Sequence, residues 1–74
     1  MDLKLTDIEQ NQSAVIKDIV DNPLIAKMFE FGVLPGATFT VLNKAPFKGP
    51  ISILVDDTRI ALRQKEANCI LIES

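Results

Sequence analysis

A helix stop and a strand start lie within eight residues, Glu30-Phe31-Gly32-Val33-Leu34-Pro35-Gly36-Ala37, and this junction constrains the fold more than any other segment. Before it, Leu24, Met28 and Phe31 recur at helical spacing, with Ile25 and Phe29 widening the stripe and Lys27 and Glu30 left for water. Asp21 and Asn22 are good N-caps and Pro23 suits a first helical position, so a helix of about nine residues is expected, too short to persist without packing. Gly32 falls where a left-handed residue closes a helix, with Val33 placed to touch Met28 beyond it. Leu34-Pro35-Gly36-Ala37 has proline second and glycine third, the arrangement of a type II turn. Gly32, Pro35 and Gly36 are therefore structural, and the junction carries no nucleophile, base or metal ligand.

Strands surround this helix. Ser13 to Ile19 is rich in β-branched residues and reads as a first strand. After the junction the apolar residues alternate: Phe39 and Val41 share one face of a strand from Ala37 to Asn43, and Ile51, Ile53 and Val55 share a face of the next. Asp56-Asp57 makes a tight hairpin into Thr58 to Arg63, Gln64 to Asn68 is long enough for one helical turn, and Ile70 and Ile72 mark a last strand. The expected fold is mainly β: one domain over residues 1–74, a small five-stranded, partly open barrel with a short helix inserted after the first strand. Its core is Phe39, Val41, Ile51, Ile53, Val55, Ile60, Leu62, Ile70 and Ile72.

That inward set leaves Leu42, Leu54 and Leu71 on the opposite face. Two readings stand: the helix and the N-terminal Leu3 and Leu5 cover them, or some stay exposed for a partner or for weak self-association. With 74 residues, of which 47% are apolar but only 5% aromatic, aliphatic side chains must fill the interior. A chain of this size buries only about 60% of its unfolded surface, so each core residue matters.

Composition removes most chemistry. The sequence has no histidine and one cysteine, which leaves no Ser-His-Asp or Cys-His arrangement, no internal disulfide and too few soft ligands for a zinc site. Cys69, between a turn and an apolar strand, reads as a packed thiol. Asp56-Asp57, the adjacent acidic pair, reads as a solvated turn. No catalytic residue, metal ligand or cofactor site is expected. The net charge of −2 and pI near 4.9 lack the basic patch that grips phosphate, so nucleic acid is not an expected partner. The longest apolar run, Cys69-Ile70-Leu71-Ile72, is far short of the roughly 18 residues a membrane span needs, and Met1 to Asp7 shows no signal-peptide pattern. A cytoplasmic protein with no membrane insertion is the expectation.

The expected contact surface is the loop Ala45-Pro46-Phe47-Lys48-Gly49-Pro50. Its prolines bar it from a central strand and lower the entropy lost on binding. Phe47 either folds back over the open end of the barrel or stands exposed at the tip. Pro46, Phe47, Lys48 and Pro50 are the contact candidates, with Leu54 and Leu71 as a second patch. Arg59 and Arg63 share an outward face that reads as solvated.

The order of these segments, Met28-Phe29-Glu30-Phe31-Gly32-Val33-Leu34-Pro35-Gly36, then Ala45-Pro46-Phe47-Lys48-Gly49-Pro50-Ile51, then Ile60-Ala61-Leu62-Arg63, then Glu66-Ala67 and an aliphatic strand, resembles the FeoA family of small ferrous-iron-transport proteins. The likeness runs over about residues 13–73. It implies an SH3-like barrel and a cytoplasmic, non-enzymatic accessory of the FeoB transporter, a membrane protein with a cytoplasmic GTP-binding domain. The sequence departs from the family habit at Gln10-Asn11-Gln12, where Gly or Pro-Gly is frequent, and at Asp56-Asp57, where glycine is usual. A related SH3-like domain ends iron-dependent repressors of the DtxR type, which implies the alternative of a stand-alone regulatory module.

Overall fold

The computed structural model describes residues 3–20 and 25–73. The expected helix start at Asp21, Asn22, Pro23 and Leu24 lies outside the described residues, as does the side chain of Ile25. The chain forms strands β1 (Leu3–Lys4), β2 (Ser13–Ile19), β3 (Thr38–Lys44), β4 (Ile51–Val55), β5 (Thr58–Leu62) and β6 (Ile70–Ile72), with helices α1 (Ile25–Glu30) and α2 (Gln64–Ala67). A short 3₁₀ turn, Leu5–Asp7, follows β1.

The strands make one antiparallel sheet in the order β1-β6-β2-β3-β4-β5. The partly open barrel is thus present with six strands instead of five, and the inserted helix follows the first long strand. The added strand pairs Leu3 with Ile72 and Lys4 with Leu71, two residues whose composition gave no strand signal. Asp7 fixes the turn after it by accepting a hydrogen bond from the Lys4 N–H at 2.9 Å.

All nine inward residues expected from alternation are buried, joined by Leu5, Ile16, Ile19, Met28, Val33 and Ala67. Two bulges explain where simple alternation fails. In β2 the register slips between Ile16 and Asp18, so Ile16 and Ile19, three apart, both point inward opposite Ile72 and Ile70. In β3 it slips between Val41 and Asn43, which puts Lys44 on the inner face opposite Ile51. The Lys44 ammonium is accommodated there by donating to the carbonyls of Thr6 and Ile8 at 3.1 and 3.2 Å.

The junction after α1 has the expected geometry. Val33 N–H donates to Met28 O at 2.9 Å and Gly32 N–H to Phe29 O at 3.0 Å, the paired bonds of a Schellman cap, with Gly32 at φ 88°. Ala37 N–H donates to Leu34 O at 3.0 Å and Gly36 stands at φ 93°, closing the type II turn. That turn is tied to β2, since Gly36 N–H donates to Ile16 O at 2.8 Å and Ile16 N–H to Ala37 O at 2.9 Å. The helical stripe is narrower than expected. Met28 is buried, but Phe29 and Phe31 are each 48% exposed.

Candidate protein-contact site

The β3–β4 loop is held at both ends and displayed in the middle. Ala45 N–H donates to Pro50 O at 3.0 Å, and inside that bond Gly49 N–H donates to Pro46 O at 3.1 Å. The two residues enclosed, Phe47 and Lys48, both stand at φ 58°. A left-handed conformation costs a residue with a side chain about 1–2 kcal/mol, so the two nested bonds and the flanking strands hold this tip against its preference. Gln64 of α2 braces it, its Nε2 donating to Gly49 O at 3.2 Å.

The consequence is a phenylalanine 99% exposed. Folding back over the barrel end, one of the two readings for Phe47, does not occur, since the left-handed turn aims the side chain away from the core. Pro46, Lys48 and Pro50 are exposed beside it, so the loop brings the four candidates to one surface.

The second candidate patch is divided. Leu42, Leu54 and Leu71 are all half-buried. Leu54 lies between Thr40 and Arg59 on its neighbouring strands, and Leu71 between Lys4 and Asp18, so polar side chains flank each. Leu42 is the bulge residue of β3. Leu5 belongs to the core, and Leu3 remains 40% exposed.

Sequence reasoning missed a cleft between α1 and β5. Met28, Phe31 and Val33 form one wall and Ile60, Ala61 and Leu62 the other, with Lys27 and Glu66 at the rim and a volume of about 190 Å³. A second hollow of about 250 Å³ shares Phe31, Ile60 and Ala61 with it and extends along Thr58 and Arg59. The assignment of Phe31 to the core stripe hid it; a helix too short to cover its own aromatic residues was the available signal. Cys69 is half-buried and donates to Lys65 O at 3.3 Å. No helix among the described residues is long and apolar enough to cross a membrane, and no three His, Cys, Asp or Glu among them gather as metal ligands.

A small antiparallel barrel with a helix inserted between its strands defines an SH3-like domain. The FeoA domain matches residues 3–74, and the chain belongs to the FeoA family. Among solved structures, an iron uptake regulatory protein (FeoA) is 27% identical, with 99% of this chain and 96% of that one covered at a TM-score of 0.85. FeoA of Stenotrophomonas maltophilia, complexed with zinc and described as a procaryotic SH3 domain protein, is 25% identical over 96% of this chain and 89% of its own, also at 0.85. A manganese-dependent transcriptional repressor, 20% identical, shares the fold at 0.86 over 99% of this chain and 41% of the repressor. No curated protein matches.

Proposed function

We propose that this chain is a non-catalytic, cytoplasmic accessory of ferrous iron uptake that works by contact with an FeoB-type transporter and its GTP-binding domain, in regulation or assembly. Membership of the FeoA family supports the iron-transport setting. The Stenotrophomonas maltophilia relative has itself been put forward as a ferrous iron transport activating factor. The observation that carries the contact reading is Phe47, an aromatic side chain wholly in solvent on a braced turn, since aromatic anchors presented without ordering cost dominate interface energies.

The test is a titration of the transporter's cytoplasmic domain with the chain, with and without a GTP analogue. Binding in at least one nucleotide state is expected, and Phe47→Ala should weaken it about tenfold or more, the loss typical of an aromatic anchor. No binding in either state removes the FeoB partnership. The fold shared with the repressor favours a second reading, a stand-alone regulatory module; binding to a DNA-binding regulator with none to the transporter domain would select it.

A further inference from the structure

We propose that the open edge of β5 and the cleft beside it dock an extended segment of a partner protein, one that carries an acidic residue next to an aliphatic one. β5 ends the sheet, with β4 on one side only. Its register opposes Val55 to Thr58, Ile53 to Ile60 and Ile51 to Leu62 across a two-residue turn. Residues flanking such a turn exchange both backbone bonds, and paired and unpaired positions then alternate along the ladder. Thr58, Ile60 and Leu62 therefore spend their N–H and C=O groups on β4, while Arg59 and Ala61 aim theirs at the open edge.

Native sheets commonly blunt such edges, and the other end of this sheet is a strand of only two residues, Leu3–Lys4. β5 has five residues with no proline, so its outward groups make a template for strand addition. A segment pairing with Arg59 and Ala61 places the residue between those pairs opposite Ile60, on the inner face, where its side chain enters the cleft between Phe31 and Leu62. The cleft's roughly 190 Å³ exceeds the ~150 Å³ apolar cavity that takes up a benzene ring, so an aliphatic side chain fits. The adjacent partner residue lies opposite Arg59 on the outer face. Arg59, whose other cross-strand neighbour is the uncharged Leu54, puts a positive charge directly beside that partner residue, which selects an acid there.

The experiment selects a displayed library of random heptapeptides on the immobilised full chain and synthesises the enriched sequence. The expected result is a motif with Asp or Glu beside Ile, Leu or Val. Its binding should slow hydrogen exchange at the Arg59 and Ala61 amides at least tenfold and leave Thr58, Ile60 and Leu62 unchanged. Ala61→Pro removes an outward N–H without taking a bond from β4 and should weaken binding at least tenfold. Should that variant fail to fold, Phe31→Ser, at a residue already 48% exposed, should weaken binding at least fivefold with the amide spectrum retained. No enrichment, or protection appearing at residues 45–50 instead, overturns the proposal. So does a dimer in sedimentation that Phe31→Ser dissolves, which would assign the edge to a second copy.

Discussion

Among the described residues with positive φ, four are not glycine: Asn11 at 70°, Asp56 at 54°, and Phe47 and Lys48 at 58°. Asn11 precedes β2 and Asp56 begins the two-residue turn between β4 and β5. Their short polar side chains tolerate the left-handed region better than most, which is how these turns form without glycine. Phe47 and Lys48 have no such excuse, and their strain coincides with the surface proposed for contact. Exchanging residues at these positions should move stability in opposite directions. At Gly32 an added Cβ would lie 3.6 Å from Val55 Cγ1, ordinary contact, so Gly32→Ala suffers only from its φ of 88°. The expected loss is about 1–2 kcal/mol, a fall of at least roughly 4 °C in Tm. Asp56→Gly should gain about 0.5 kcal/mol and raise Tm by a few degrees. Thermal unfolding of both variants checks the pair, and an unchanged Tm for Gly32→Ala would mean that position is not held left-handed.

At the scale of elements, whatever is local in the chain was legible and whatever depends on register was not. The Gly32 cap, the Leu34–Ala37 turn, β3 to β6 and the inward set from Phe39 to Ile72 all follow from spacing of three, four or two, because the alternation or helical period within each segment is set by that segment's own residues, whichever strand it pairs with. β1 was not legible, since Leu3 and Lys4 are strand only by pairing with Ile72 and Leu71 at the far end of the chain. The bulges were equally silent, and one of them decides the fate of a lysine. Without the slip between Val41 and Asn43, Lys44 would lie outward; with it, the ammonium caps the barrel end on Thr6 and Ile8. Pro46 to Pro50 could be read as a loop, but whether Phe47 folded back or stood out turned on a backbone sign that no composition reveals. Lys44→Met keeps the length and removes the charge. It should cost about 1–2 kcal/mol by leaving two carbonyls without their donor, a drop in Tm of several degrees in thermal unfolding.

The whole molecule is closed by its ends. β6, last in the chain, lies between β1 and β2, so the sheet is complete only when both termini are in place. Leu5 is fully buried in the common core, Thr6 Oγ1 bonds Asn68 Oδ1 at 2.9 Å, and Lys44 reaches the same segment from β3. Residues 3–8 therefore belong to the cooperative unit. A domain of 74 residues has a total stability of only about 4–11 kcal/mol at the usual per-residue value. Leu5→Ala, at about 2–5 kcal/mol for a buried leucine, takes a large part of it. A loss of about 3 kcal/mol should speed exchange of the most protected β3 and β4 amides, such as Val41 and Ile53, by roughly 100-fold, through global opening and not local fraying. Native-state hydrogen exchange on the wild type and the variant decides between the two. If residues 3–8 opened while Val41 and Ile53 kept their protection, the N-terminal segment would be an appendage, and the lysine and threonine bonds to it would hold nothing but themselves.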